Sequence, residues 1–320
     1  MTVIVSMISE AIHFGMMFLY GSTGETIVEK SGHLNLGIPG IMCLGGVGGC
    51  LGALWAYNAG SGNFGIIILA IVMAMVFGGA GGALYGLFTI TMRCNQNVTG
   101  LTLTTFGAGV LGFWGTQMSS KGITFYKPSL AFTTALFFPN GTPDNWFCNI
   151  FLSHGVLVYL ALAIAIIAAV VIKFTRTGLS LRAVGENPAA ADAAGINVIR
   201  YKYISCVLGA AVAGIGGAFY LLDCTRGSLE YVIDAMGWLA VALVIFSLWR
   251  PGIGIAGAII FGFLYRLPYN ITGLTLADKE LVKMIPYAVT AVVLIVISFF
   301  NKRETQPPAS LGLPYFREDR

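Results

Sequence analysis

Residues 64–92 read FGIIILAIVMAMVFGGAGGALYGLFTITM and contain no charged side chain. An α-helix rises about 1.5 Å per residue, so this stretch is long enough to cross the roughly 30 Å hydrocarbon core of a bilayer. Of the 320 residues in the chain, 57% are hydrophobic and only 10% are charged, whereas a soluble domain has about 25% charged residues. The sequence therefore predicts an all-α fold, a polytopic bundle of transmembrane helices.

Comparable apolar segments occur along the rest of the chain, and with residues 64–92 they make about nine. We expect eight to ten crossings, because 252–267 is short for a full crossing and the polar stretch 30–40 is a candidate for a broken or re-entrant element. The residues from 119 to 152 are expected to form a long loop. The other apolar segments lie at about 3–28, 38–57, 98–118, 154–174, 201–222, 231–249, 252–267 and 281–300.

Lysine and arginine are unevenly divided between the two sides that this order of segments implies. If the loop at 175–200 is cytoplasmic, 12 of the 18 basic residues lie on its side. Short cytoplasmic loops are enriched in basic residues, so we expect a transmembrane domain over 1–300 and a cytoplasmic C-terminal tail over 301–320. One missed crossing would reverse the side of the N-terminus, which stays open. The 12 residues are Lys30, Arg93, Lys173, Arg176, Arg182, Arg200, Lys202, Arg250, Lys302, Arg303, Arg317 and Arg320.

The sequence contains no motif for binding a nucleotide or a metal. The glycine clusters at 45–49 and 78–82 lack the lysine and the Ser/Thr of a phosphate loop, and are typical of closely packed transmembrane helices. The six cysteines are scattered and none has the spacing of a metal site. We therefore expect a protein that is not an enzyme and holds no cofactor of its own.

The polar loop at 175–200 contains the signals of a short helix. Asn187 is a favourable N-cap, Pro188 suits the first helical position, and Gly195 suits the residue just past the helix end. The residues at 189–194 are alanines with one aspartate, and alanine is the strongest helix former. The pattern predicts a compact helix of about two turns, roughly 10 Å long. It is equally compatible with an ordinary surface helix and with a docking element for a partner.

Three stretches resemble one family of membrane permeases. The segment from Arg182 to Val198 resembles the coupling loop of ATP-binding cassette (ABC) importer permeases of the branched-chain amino acid, ribose and simple sugar family. The stretch from Glu29 to Met42 is similar to a segment of the simple sugar and nucleoside subgroup, although Pro39 stands where that subgroup usually has an acidic residue. The tail at 307–318 resembles the ending of the same subgroup.

The resemblance implies a transport subunit of an importer for nucleosides or simple sugars in the bacterial inner (cytoplasmic) membrane. It implies a cytoplasmic ABC ATPase that binds ATP and Mg, a second homologous permease in a heterodimer, and a substrate-binding lipoprotein. Membrane lipid is expected around the chain, and no nucleic acid polymer is expected as a partner. The resemblance assigns ATPase coupling to Arg182, Gly185, Glu186, Asn187, Pro188, Ala190, Asp192 and Gly195.

Polar residues in apolar segments are candidates for the path of the solute. Amides and hydroxyls are concentrated at 95–107, and neutral groups suit a sugar or a nucleobase better than an ion. The same residues are also able to hydrogen-bond between helices, which leaves both interpretations open. The candidates for the path are Asn35, Asn95, Asn97, Thr102, Phe106 and Trp114.

Ionisable residues in or next to apolar segments are also candidates for a functional role. Glu10 and His13 are three residues apart and share one face of the first segment. Asp223 is expected in an outer loop exposed to solvent. The alternative function is an ion-coupled secondary transporter for a small polar solute, which would favour charged residues in the middle of several segments. Few such residues occur here.

Overall fold

Helices form almost all of the described secondary structure, and most are long and apolar. In this computed structural model the described residues are 3–139, 143, 145–229, 233–271, 273, 275–300 and 306–316. Asp144, Glu230 and the tail residues Lys302, Arg303, Arg317 and Arg320 lie outside them. The helices are α1 (Val3–Glu29), α2 (Ile38–Asn58), α3 (Asn63–Gly86), α4 (Gln96–Ser120), α5 (Tyr126–Thr133), α6 (Val156–Phe174), α7 (Arg176–Glu186), α8 (Pro188–Ala193), α9 (Val198–Phe219), α10 (Asp234–Phe246), α11 (Pro251–Asn270), α12 (Leu276–Lys283) and α13 (Ile285–Phe300).

Six helices in the described part of the chain are long and apolar enough to cross a membrane. They are α1, α2, α3, α6, α9 and α11; α3 and α9 each continue into a π-helical turn, Leu87–Thr91 and Tyr220–Cys224. The segment at 252–267, expected to be short, is part of the 20-residue α11. Of the other apolar segments, α10 has 13 residues and α13 has 16. The multi-pass prediction is confirmed, while the number of eight to ten crossings stays a prediction.

The expected loop at 119–152 is not entirely without structure. It contains α5 and a π-helical turn at Cys148–Leu152, and Phe132 at the end of α5 is buried in the main core. The polar stretch at 30–40 is indeed broken: α1 ends at Glu29, α2 begins at Ile38, and most of the residues between them are buried. Pro39 lies in the first turn of α2, where the missing N–H group is not needed.

Helix α9 lies at the centre and touches the backbones of α1, α2 and α3. A Cβ atom added to Gly24 would lie 2.3 Å from the carbonyl oxygen of Gly209, and one added to Gly45 would lie 2.2 Å from Gly214 Cα. A Cβ on Gly78 would lie 2.6 Å from the Ala210 carbonyl oxygen. Since each distance is far below van der Waals contact, the two glycine clusters mark close helix crossings, as predicted.

Two groups of contacts define the two ends of the bundle. At one, named the loop end, residues 30–37, 175–197, 247–250 and 306–316 come together. The indole N–H of Trp249 donates to the Glu29 carboxylate there. At the other, named the far end, Glu10 forms a 2.7 Å ion pair with Arg266. Helix α1 extends between these ends, and its residues Glu10 and Glu29 each bind a residue in the 249–266 part of the chain.

Candidate functional site

The short helix predicted in the polar loop is present at the loop end, as α8. The Asn187 side chain accepts a 3.0 Å hydrogen bond from the Ala190 N–H, and Pro188 is the first helical residue. Gly195 adopts φ +83°, and its N–H donates to the Asp192 carbonyl at 3.0 Å. The Ile196 N–H donates to the Ala191 carbonyl at 3.0 Å, which completes a Schellman motif. Local capping residues therefore fix both ends of α8.

Helix α8 projects small side chains from the loop end. Its Ala191 is buried against Val184 and Val198, which form a small apolar cluster beneath it. This cluster attaches α8 to α7 and to the start of α9. The residues that face outward are small or polar and are exposed: Asn187, Ala189, Ala190, Ala193, Ala194 and Gly195.

Gly185, one of the predicted coupling residues, lies beneath this surface. A Cβ atom at this position would lie 2.3 Å from the Lys30 carbonyl oxygen. The Gly185 carbonyl oxygen accepts hydrogen bonds from the Ser310 N–H at 3.0 Å and the Ser310 hydroxyl at 2.5 Å. Gly185 is therefore placed to join α7 to the 30–32 turn and the C-terminal segment.

Charged residues surround α8. Glu186 is exposed, and Arg182 is half-buried with no partner for its Nε atom in the described part of the chain. Burial lowers the pKa of Lys30. The nearby Glu186 carboxylate partly offsets this shift, whereas Arg182 and Arg250 lower the pKa further. Three basic side chains thus lie close together next to α8, near the exposed Glu186 carboxylate and the buried Glu29 carboxylate.

The C-terminal segment at 306–316 is bound to the same surface, which the sequence did not indicate. The Gly312 N–H donates to the Gly32 carbonyl oxygen at 3.2 Å, and Pro308 and Ser310 are buried. The Tyr315 hydroxyl donates to Asp192 Oδ2 at 3.0 Å. The segment therefore contacts both the 30–32 turn and α8. Only the unusual proline and aromatic content of an otherwise polar tail could have suggested this.

The predicted path residues divide between two places. Asn97, Thr102 and Phe106 are exposed on α4; Thr102 and Phe106 lie on one side of it, whereas Asn97 lies about 140–180° away from them around the helix axis. Asn95 is the N-cap of α4 and accepts hydrogen bonds from the Asn97 and Val98 N–H groups. Trp114 is half-buried and lies on another side of the helix. Four of these residues thus belong to α4 and Asn95 caps it, but only Thr102 and Phe106 share its open side.

Asn35 lies behind α4 and away from that open side. Its backbone N–H donates to Glu25 Oε1 at 3.0 Å, and its Oδ1 accepts from the Gly37 N–H at 2.9 Å. It is fully buried, and its Nδ2 has no partner among the described residues. Asn35 is therefore placed to hold the break between α1 and α2, which is a structural position.

The open side of α4 includes a stripe of which only Thr102 was predicted as a path residue. Thr102, Thr105, Gly109, Gly112 and Thr116 are all exposed, at helical spacings of three and four residues. Each of the three threonine hydroxyls donates to the carbonyl four residues earlier, at 2.8–3.2 Å, which leaves its oxygen free to accept. The spacing alone could have revealed this uncharged polar face.

At the far end the stripe opens into a cavity of about 840 Å³. Gly112 and Thr116 line it from α4, and Tyr126, Arg226 and Ser228 line it from the neighbouring segments. A cavity at the end of a polar helix face offers a polar solute an entry to that face.

The far end also corrects the prediction for Asp223. This residue is only 4% exposed and lies in the π-helical turn that ends α9, not in a solvated loop. Its Oδ1 is 3.7 Å from His13 Nε2, and the His13 ring stacks on that of His154. Glu10 instead pairs with Arg266. Glu10 and His13, predicted to share a face, therefore contact two different neighbours.

The family of the chain follows from comparison with known proteins. Residues 7–297 match the model of the branched-chain amino acid transport system permease component. The chain belongs to this permease family. The family resemblance stated from the sequence is thereby confirmed. The permease matches no solved structure.

Its relatives include nucleoside and sugar permeases. The permease is 29% identical to a putative glucose ABC transporter permease protein of Haloferax volcanii, over 87% of its own length and 81% of the relative's. It is 26% identical to the nucleoside ABC transporter permease protein NupC of Lactococcus lactis, over 97% and 96%. It is 28% identical to the guanosine ABC transporter permease protein NupQ of Bacillus subtilis, over 93% and 92%.

These findings settle the class of transporter. The permease is a membrane-spanning subunit of an ABC transporter, and the ion-coupled alternative has no support. Two of its ionisable groups in apolar helices are held by structural partners, Glu29 by Trp249 and Glu10 by Arg266. The surface around α8 and the open side of α4 are therefore the two candidate functional sites of the permease.

Proposed function

We propose that the permease imports nucleosides or simple sugars, and that α8 is its docking element for a cytoplasmic ABC ATPase. The single observation that carries this proposal is the geometry of α8. A capped helix with exposed alanines stands on a buried apolar base, beside a group of basic side chains. Small side chains let such a helix enter a cleft of another protein. ATP and Mg belong to that ATPase, since the permease has no phosphate loop.

This role places the loop end in the cytoplasm and the far end outside. The C-terminal segment lies at the loop end, so the C-terminus is cytoplasmic in the proposed orientation. With α4, α10 and α13 counted beside the six long apolar helices, nine segments are embedded in the membrane. The membrane is the bacterial inner membrane, where the permease is multi-pass.

The open side of α4 is the proposed wall of the solute path. It is uncharged, and threonine oxygens that are free to accept hydrogen bonds suit hydroxyl and amino groups of a nucleoside or a sugar. A second, homologous permease would supply the opposite wall, in a heterodimer. A substrate-binding lipoprotein would deliver the solute to the far end. The nucleoside and glucose permeases among the relatives support this range of solutes.

The docking proposal is tested by enlarging an exposed alanine of α8. We expect Ala190→Trp to prevent co-purification of the ATPase and to abolish uptake of labelled nucleosides or sugars. Ile167→Trp is the matched control, because Ile167 is 60% exposed on the apolar helix α6. Normal uptake by the Ala190→Trp variant would show that α8 is not the docking element.

The path proposal needs a separate variant on α4. A Cβ atom added to Gly112 would have no neighbouring atom within 4 Å, so Gly112→Trp is compatible with folding of the subunit. We expect this variant to retain the ATPase and lose uptake, because the indole would fill the far-end cavity. Unchanged uptake would remove α4 from the path without affecting the role of α8.

A further inference from the structure

A cavity of about 440 Å³ lies at the loop end and borders α8 at Asp192 and Gly195. It is bounded by the π-helical turn that ends α3, by the first turns of α9 and by the C-terminal segment. Several of its lining groups carry positive charge or have N–H groups that are able to donate hydrogen bonds. They include His33, Arg93, Lys202 and the N-terminus of α9.

Lys202 is the clearest indication that the cavity accepts an anion. Lys202 is 3% exposed, and its ammonium forms no hydrogen bond or ion pair with an acidic group in the described part of the chain. Its ammonium lies 5.9 Å from the centroid of the Tyr315 ring. A buried ammonium is costly unless an anion compensates it. The cavity is where such an anion has room.

His33 also lines the cavity. It is 2% exposed, and its Nδ1 has no hydrogen-bond partner among the described residues. Burial and the nearby Lys202 lower the pKa of His33 to about 3, so the ring is neutral at physiological pH. A neutral imidazole carries one N–H group. His33 can therefore donate one hydrogen bond without adding charge.

Backbone groups and a second cation complete the donor set. Asn197, Val198 and Ile199 at the N-terminus of the 22-residue α9 line the cavity, and the first N–H groups of a helix attract anions. Arg93 lines it too, with its guanidinium 4.9 Å from the Phe316 ring.

One acidic residue limits the charge of the site. Asp192 also lines the cavity, and its Oδ2 accepts the Tyr315 hydroxyl. Among the described residues, two basic side chains and one carboxylate therefore line the cavity. This lining suits a singly charged anion better than one of high charge.

The surroundings of the cavity are apolar on the membrane side. Met92 and Ile199, at the ends of the two helices that bound it, are 59% and 57% exposed. Phe88, one turn earlier, is 41% exposed. Basic pockets between transmembrane helices at the cytoplasmic side bind lipid head groups. The exposed apolar residues would then contact the acyl chains of the same molecule.

We propose that this cavity is a phosphate-binding site, and that the phosphate is the head group of an anionic membrane lipid. The cytoplasmic location rests on the orientation proposed above, but the binding of a phosphate does not. The lipid would lie against both α9 and Tyr315, and so would stabilise the C-terminal segment that holds Asp192 of α8.

The test compares lipids by native mass spectrometry of the purified permease. We expect phosphatidylglycerol to be retained at least about fivefold better than phosphatidylcholine with the same acyl chains. Lys202→Met should remove this preference, whereas Lys173→Met, at an exposed site outside the cavity, should preserve it. Equal retention of the two lipids by the unmodified permease would overturn the proposal.

Two further measurements distinguish loss of the site from misfolding, and a lipid from a soluble phosphate. Ile199→Glu places a carboxylate at an exposed position on the cavity rim, and we expect it to abolish the preference with unchanged thermal stability. If this variant still retains phosphatidylglycerol better than phosphatidylcholine, the cavity is not the binding site. Inorganic phosphate and glycerol 3-phosphate are added separately. Binding of either as tight as that of the lipid would overturn the lipid assignment. No ATPase is used, so the result is independent of the docking proposal.

Discussion

The Tyr315 hydroxyl donates a 3.0 Å hydrogen bond to Asp192 Oδ2, although the two residues are 123 positions apart in the chain. Asp192 belongs to α8, and Tyr315 belongs to the C-terminal segment. The contact therefore fixes the orientation of α8 from a part of the chain that follows all the apolar helices. We expect the loss of contacts around α8 to change uptake or stability. We expect the loss of the Trp249 contact in the turn between α10 and α11, named the α10–α11 corner, to change stability.

Tyr315→Phe removes the hydroxyl and keeps the ring. One hydrogen bond contributes about 0.5–1.5 kcal/mol net, so we expect α8 to be held less firmly. Uptake and solute-stimulated ATP hydrolysis of the assembled transporter should fall by about two- to tenfold. Tyr57→Phe, at an exposed position on the far-end terminus of α2, is the control. A Tyr315→Phe transporter with unaltered rates would mean that the bond does not position α8.

Asn187→Ala removes the N-cap of α8. The loss of a capping side chain costs about 1 kcal/mol, so a larger share of molecules should have a frayed α8. We expect coupled uptake to fall about fivefold, while the amount of permease in the membrane stays the same. Asn187→Ser keeps a capping oxygen and should restore most of the uptake. If alanine and serine behave alike, the cap is not what matters at this position.

Gly185→Ala introduces a Cβ atom 2.3 Å from the Lys30 carbonyl oxygen. Relief of this overlap requires the backbone of the 30–32 turn to move, at a cost of about 1–3 kcal/mol. We expect a lower thermal unfolding midpoint in detergent. Gly252→Ala is the control, because its nearest neighbour, Ala169 Cβ, is 4.0 Å away. Equal midpoints for the two variants would contradict the assignment of Gly185 to packing.

Trp249→Phe removes the indole N–H that donates to Glu29. A buried carboxylate without its donor costs about 1–3 kcal/mol, so the unfolding midpoint should fall by several degrees. Trp55→Phe should leave it unchanged, since Trp55 is 55% exposed. A stable Trp249→Phe variant would show that the α10–α11 corner is held by other contacts.

Features with a local cause can be predicted from the sequence. The predicted ends of α8 agree with the structure within a residue, because Asn187, Pro188 and Gly195 act on their immediate neighbours. The glycine clusters at 45–49 and 78–82 indicate helix crossings, since only small residues permit them. The long apolar segments likewise require only composition and length.

Features that depend on distant parts of the chain cannot be predicted in this way. Asn35 is a polar residue in a broken segment, and its burial and its backbone bond to Glu25 depend on how α1 and α2 pack. The position of Asp223 after an apolar segment indicates exposure to solvent, whereas the π-helical turn buries it beside His13. The burial of Gly185 depends on Lys30 and Ser310, which lie at opposite ends of the sequence.

The central position of α9 has a mechanical consequence. Its backbone touches α1, α2 and α3 at glycines, so these four helices cannot slide past one another without carbonyl oxygens colliding with Cα atoms. We expect them to behave as one stiff block that extends from α8 to the π-helical turn at Tyr220–Cys224. A displacement of these helices at one surface of the membrane would then move their other ends by a similar amount.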